Sequence, residues 1–179
     1  MSVPPEQLSH ADLVAAASKW LRRKCAVVVT EVSVMGETPD AIGWYGRLAI
    51  LIECKASKAD FLADVKKFFR AYPAMGIGSH RYYLTPVGML EASEVPAGWG
   101  LIEFDGRRYK IIRESAPFAE SNRDQEVSIL ISTLRRVGNL KPRGVSIRHY
   151  VMQSKCTATV HTEEWSETDA VPVCASATP

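Results

Sequence analysis

The sequence predicts an α/β domain built on one mixed sheet with helices on both faces. Three observations carry this. Two capped segments show apolar residues at helical spacing, one before and one after a group of short β-branched runs. Turn signals at Met35-Gly36 and Gly46-Arg47 separate those runs into three strands. A further strand after the second helix, then a hairpin and a final helix, complete the order helix–strand–strand–strand–helix–strand. The 179 residues suffice for one hydrophobic core and are too few for two comfortable ones.

The elements follow in order. Residues 1–8, with Pro4-Pro5, read as an extended leader. Ser9 is placed to cap a helix, with Asp12 three residues on closing a capping box. Leu13, Val14, Ala17, Trp20 and Leu21 then form one apolar face, with His10 on the same side at the helix start. Asp12 lies opposite that face, which makes it a cap rather than a ligand. Residues 25–34 are strand-like, interrupted by Glu31 on the face of Val27 and Val29. The next two strands lead from Asp40 to Tyr45 and from Leu48 to Ile52.

Ser57 and Asp60 repeat the capping pattern for a second helix, whose expected core side is Phe61, Val65, Phe68, Phe69 and Tyr72. Its flank carries Lys58, Lys66, Lys67 and Arg70, and Pro73 stops it. The Gly-rich stretch at 74–79 matches no phosphate-loop or dinucleotide pattern, so no small-molecule cofactor is expected. Residues 80–85 form a strand with Arg81 and Tyr83 on one face. Asp105-Gly106 joins two more into a hairpin. Ser121 or Asn122 opens a last helix with Val127, Leu130, Ile131 and Leu134 as its stripe, ended by Gly138-Asn139.

The chemistry-bearing residues gather in one stretch. Strand alternation puts Glu53 and Lys55 on one face at the end of an apolar run, with Cys54 turned away. A hairpin through Tyr45-Gly46-Arg47 brings Asp40 to the same end. Charges there must be paired or must hold something, because isolated buried charge is unfavourable. Two converging carboxylates favour a cation between them, and a small set of hard oxygen ligands suits Mg²⁺ or Mn²⁺. Lys55 beside such a site can orient or deprotonate a water, or neutralise developing charge. Asp40 as a turn residue and Glu53–Lys55 as an edge-strand ion pair are the competing structural readings.

These residues carry a resemblance. Pro39-Asp40, twelve residues, then Glu53-Cys54-Lys55 resembles the signature of the PD-(D/E)XK nuclease superfamily. The stretches at 52–55, 57–64 and 81–84 resemble its small bacterial and phage members, including MmcB-like DNA repair proteins. The resemblance spans about residues 9–106. It implies a restriction-endonuclease-like core and metal-dependent hydrolysis of DNA, structure-directed or non-specific, in repair, recombination or phage DNA processing. Under it, Asp40, Glu53 and the Cys54 backbone carbonyl hold Mg²⁺ or Mn²⁺, Glu31 is a third acid, and Lys55 positions the water. His10 belongs to the vicinity, and Lys58, Lys66, Arg70 and Arg81 are the candidate DNA contacts. A non-cleaving DNA-binding or interaction module that keeps the fold is the alternative.

Composition sets the outer bounds. Of 22 basic and 20 acidic residues, one lysine and four acids follow Tyr150, which leaves a basic body and an acidic tail. That balance suits a phosphate-rich partner. Four scattered cysteines form no C-x-x-C pair, which argues against a zinc ribbon or a disulfide framework. No apolar run approaches a membrane span and residues 1–10 show no secretory signal, so a cytoplasmic protein is expected. The domain is expected over residues 9–148, with residues 149–179 a disordered acidic Ser/Thr-rich tail.

Overall fold

A computed structural model describes residues 8–32, 37–138 and 145–147. The chain divides into two units, Met1–His149 and Tyr150–Pro179, and the described residues belong to the first. The tail expectation therefore lies outside the described residues.

The predicted order is found. Helix α1 (His10–Leu21) leads into strands β1 (Val27–Thr30), β2 (Ala41–Tyr45) and β3 (Leu48–Cys54). Helices α2 (Lys58–Asp64) and α3 (Phe68–Ala71) follow, then β4 (His80–Pro86), the hairpin β5 (Gly100–Phe104) and β6 (Tyr109–Arg113), helix α4 (Arg123–Gly138) and strand β7 (Val145–Ile147). The seven strands lie in the order β6-β5-β4-β3-β2-β1-β7. β3, β4 and β5 are mutually parallel, while β2 is antiparallel to both its neighbours and β6 to β5. The chain is thus α/β with a mixed sheet, as expected.

Each face of the sheet carries its own core. Leu13, Ala17 and Leu21 of α1 pack on one face with Ile52, Cys54 and Leu84. Leu51, Tyr83 and Leu101 face the other way, against Phe61 of α2, Trp99 and Ile129 of α4. α1 begins as its sequence dictates: Ser9 Oγ accepts from the Asp12 N–H at 3.2 Å, and Asp12 Oδ2 accepts from the Ser9 N–H at 3.0 Å. Its far end rests closely on β2, where a Cβ at Gly43 would come within 2.8 Å of Cys25 Sγ. The Asp105 carboxylate accepts the N–H groups of Arg107 and Arg108 and closes the β5–β6 turn.

Three expectations need correction. Of the strand predicted over 25–34, residues 33 and 34 lie outside the described residues, and among the rest only Val27–Thr30 is regular strand. Glu31 follows it with φ 51°, a left-handed conformation that removes it from the strand alternation. The second helix is broken between Asp64 and Phe68, which leaves Phe68 and Tyr72 exposed instead of in the core. A continuous helix would set Asp64 and Arg70 about 120° apart around its axis, and the break lets both turn inward. α4 buries Gln125, Glu126, Ile129 and Thr133 rather than its more apolar stripe, leaving Val127, Ile131 and Leu134 exposed. Polar anchors decide that rotation. Gln125 Nε2 donates to the Glu37 carbonyl at 2.6 Å, and Glu126 Oε1 accepts the Gly78 N–H at 2.9 Å.

Candidate active site

The predicted trio converges at the end of β3. The register pairs Ala41 with Ile52, so the step beyond sets Asp40, just before β2, against Glu53. Cys54 enters through its backbone, its N–H donating to Asp40 Oδ2 at 2.8 Å. Its thiol is buried on the α1 side, where burial, reinforced by Asp40 and Glu53, raises its pKa. Lys55 Nζ donates to Glu53 Oε2 at 3.1 Å and lies 3.9 Å from Asp40 Oδ2. His10, the first residue of α1, places Nε2 3.5 Å from Asp40 Oδ1. Capping of α1 by Ser9 therefore brings His10 to the site, as its position predicted.

The site contains more than the motif. Asp64, at the end of α2, sits with Oδ1 3.2 Å from Lys55 Nζ and 2.7 Å from Lys67 Nζ. Its Oδ2 accepts from Arg70 Nε and from the Tyr83 hydroxyl, both at 2.8 Å. Tyr83 is the β4 residue paired with Glu53 in the parallel register, so the sheet itself sets this contact. Arg70 also pairs with Glu37, whose other oxygen accepts the Ile77 N–H at 3.1 Å. The guanidinium lies 4.5 Å from the centroid of the Trp99 ring. Glu53 Oε1 is 3.3 Å from Arg70 Nη2 but lacks a hydrogen bond of proper geometry. The result is a largely buried lattice of alternating charge, which among the described residues reaches solvent along Asp40, His10 and Lys67.

Burial and charge act in opposition here. Burial pushes Glu53 up to about 7, against the pull of Arg70 and Lys55 and with Asp40 and Asp64 adding to the rise. Burial works against the Lys55 ammonium, yet Glu53, Asp64 and Asp40 outweigh it and hold its pKa well above a lysine's ordinary value. Lys55 is thus a fixed cation at neutral pH. In that state it donates a hydrogen bond and supplies positive charge to the site. Burial would raise Asp64, but Arg70, Lys67 and Lys55 hold its carboxyl well below its usual 3.8.

Asp64 therefore stabilises the fold fully above pH 3.8, and that contribution is lost as pH falls through its lowered folded value. Asp64→Asn is expected to cost about 2–3 kcal/mol near pH 7, the scale of hydrogen bonds to charged groups. The gap between wild type and variant should close as both are acidified below pH 4. Urea unfolding at stepped pH measures it, and a gap constant with pH would refute the assignment.

The other predicted residues fare differently. Glu31 is exposed, with its N–H bonded to the Asp40 carbonyl at 3.2 Å. No hydrogen bond or ion pair among the described residues joins its carboxylate to the trio. Arg70 and Arg81 are corrections, since neither is a surface contact. Arg70 is sunk in the acidic lattice. Arg81 is fully buried, donating to the carbonyls of Pro73, Gly76 and Gly78 and lying over Phe118 at 4.1 Å. It pins the Gly-rich loop. Lys58 is exposed and paired with Glu94 at 2.6 Å, while Lys66 is exposed without an ion pair among the described residues.

Asp64, Glu37 and Tyr83 were missed as site residues. Asp64 carried a readable signal, lying three residues after Phe61 on the apolar side of its helix. Glu37 carried none, because only the broken helix brings Arg70 to it.

No family model matches the chain, and no curated protein matches it. Among solved structures it is similar to a protein of unknown function from Silicibacter pomeroyi, with a TM-score of 0.57 and 23% identity. The match covers 75% of this chain and 92% of that one. The likeness bears on the fold.

Proposed function

We propose that the chain is a metal-dependent nuclease that hydrolyses DNA phosphodiester bonds, on a restriction-endonuclease-like core. One observation carries this reading: Asp40 and Glu53 meet beside the Lys55 ammonium at the end of the β2–β3 hairpin. The succession of α1, β1, β2, β3, α2 and β4 supports it, since it is the element order that the motif's resemblance implies.

The donor set fits a hard divalent cation of the Mg²⁺ or Mn²⁺ class. Among the described residues no three His, Cys, Asp or Glu side chains group as a metal site. Mg²⁺ needs no such cage, because it commonly takes one or two carboxylates and completes its shell with water and substrate phosphate. Glu53 Oε1 supports the fit, being a buried carboxylate oxygen without a hydrogen bond, its charge met only by Arg70 Nη2 at 3.3 Å among the described residues. Asp40 and Glu53 would hold the ion, with the Cys54 carbonyl beside them. When bound, it supplies Lewis acidity toward the phosphoryl oxygen and lowers the pKa of a water.

The protein's own groups do the rest. Cys54 N–H fixes the Asp40 carboxylate, and Lys55 and Arg70 hold Glu53 in place and offset the acidic charge. Lys55 donates to the attacking water or to the phosphate oxygen on which charge grows. His10 stands at the solvent side of Asp40, within reach of a proton carried in or out. Lys55→Ala is expected to lower cleavage by roughly two to four orders of magnitude, the span for a lost electrostatic or acid–base group. Circular dichroism should show the fold retained. A variant that unfolds would mark Lys55 as a structural ion pair instead.

A second reading has its own observation. Glu53 and Asp64 are so fully engaged by Lys55 and Arg70 that the lattice also suits a non-cleaving module stabilised by buried charge. A cleavage assay in Mg²⁺ or Mn²⁺ over duplex, single-stranded, flapped and four-way DNA separates the two. The nuclease reading expects cleavage that vanishes with chelation and a metal titration that Asp40→Ala abolishes. No cleavage of any substrate, with the same metal response in both proteins, would favour the module.

A further inference from the structure

The break between α2 and α3 has a second face. Arg70 points into the charge lattice, while Phe68 of the same short helix and Tyr72, which caps its end, stay outside, 54% and 58% exposed. The Tyr72 N–H bonds to the Phe68 carbonyl at 3.0 Å, so the two rings stand one helical turn apart. Their centroids are 4.7 Å apart with planes inclined by 33°. Phe69 abuts Phe68 edge-on at 5.8 Å, and Met75, in the turn that follows, is also half exposed. Lys66 and Lys67 precede the pair directly, both exposed, and Lys67 Nζ reaches Asp64 of the site. Exposed aromatic rings directly following two exposed lysines in the chain, one of which reaches the charge cluster, are not explained by the core they were expected to join.

We propose that Phe68 and Tyr72 form a stacking platform for unpaired nucleobases, with Lys66 and Lys67 meeting the adjoining phosphates, so that the site takes single-stranded or locally unpaired nucleic acid. This rests on the nuclease reading and names its substrate class. Alternation of ring faces with positive charge matches the alternation of base and phosphate along a single strand, where any base offers a π-face. A duplex hides those faces, and its regular backbone could use only the lysines. A protein partner would meet the rings equally well as plain apolar surface, but the flanking lysines and the contact with the acidic site favour a strand that continues into it.

The test measures binding of labelled oligothymidylate and of a duplex of equal length in EDTA, where metal-dependent cleavage cannot consume the probe. Phe68→Ala and Tyr72→Ala are each expected to weaken single-strand binding by about five- to a hundredfold, the worth of one base–aromatic stack. Duplex binding should change little. Phe68→Leu should behave like the alanine variant, since bulk is kept and the π-face lost. Lys66→Ala should instead reduce the salt dependence on both probes. Wild type that ignores the oligothymidylate, or variants that bind it equally well, would overturn the proposal. So would a wild-type dimer by light scattering that dissociates in Phe68→Ala, which would assign the patch to a second copy. Cleavage of duplex DNA indifferent to both rings would leave the nuclease standing without the platform. Ring-dependent binding with no cleavage of any substrate would do the reverse.

Discussion

Glu53→Gln is expected to bring DNA cleavage to background, a loss of about four orders of magnitude or more, because it takes away the charge that would hold the cation. The substitution isolates charge from shape. Glutamine fills the same buried volume and keeps an oxygen for Lys55 Nζ, now 3.1 Å from Glu53 Oε2. DNA affinity should stay within a few-fold of wild type, since the exposed lysines that can meet phosphate are untouched. Single-turnover cleavage in Mg²⁺ beside an anisotropy titration gives both quantities. Undiminished cleavage by the variant would remove Glu53 from the chemistry.

Arg70→Met is expected to destabilise the fold by about 3–5 kcal/mol, the range for breaking a buried ion pair by deleting one partner. The guanidinium is nearly inaccessible and meets Glu37, Asp64 and Glu53 together. Methionine approximates the length of the stem but leaves Glu53 and Asp64 to Lys55 and Lys67, and Glu37 to the Ile77 N–H and the charge of Arg81. Chemical denaturation at neutral pH reads the loss, and acidification should recover part of it by protonating the orphaned acids. A loss below about 1 kcal/mol would show that solvent or other groups already compensate these acids. The same measurement tests the expectation that Arg70 touches DNA. A surface contact would cost binding and leave stability alone.

The sequence was most legible where a residue's role depends on its neighbours in the chain. Ser9 and Asp12 cap each other three residues apart, and Glu53 and Lys55 share a face because strand side chains alternate. The approach of Asp40 to Glu53 was legible for a related reason. Gly46-Arg47 makes a tight hairpin, and a tight hairpin has a register. Glu31 failed by the same measure, since its left-handed backbone breaks an alternation that composition alone cannot reveal.

Periodicity misled wherever buried polar groups outranked apolar ones. The stripe of α4 reads as Val127, Leu130, Ile131 and Leu134, of which Leu130 alone packs partly buried on the core, because the helix turns Gln125 and Glu126 inward to satisfy the Glu37 carbonyl and the Gly78 N–H. An unmet buried donor or acceptor costs as much as a well-placed methyl group contributes, so these bonds can set the rotation of a helix. The same kind of spacing puts Phe68 and Tyr72 in the core, and the inward turn of Arg70 leaves them outside.

The sequence by itself determined the α/β order of elements, the meeting of Asp40, Glu53 and Lys55, and the presence of His10 beside them. Each follows from local rules of capping, alternation and tight turns, which act over a few residues. Only the tertiary structure decided that Asp64, Tyr83, Glu37 and Arg70 complete the cluster, that Lys55 is held as a cation, and that two aromatic rings face solvent next to it. The physical reason is range. Arg70 and Glu37 are 33 residues apart in the chain, and Tyr83 comes beside Glu53 only through a parallel crossover. Charges buried together interact through a poorly screening interior, so their states depend on distant neighbours the fold assembles as well as on those the chain places next to them.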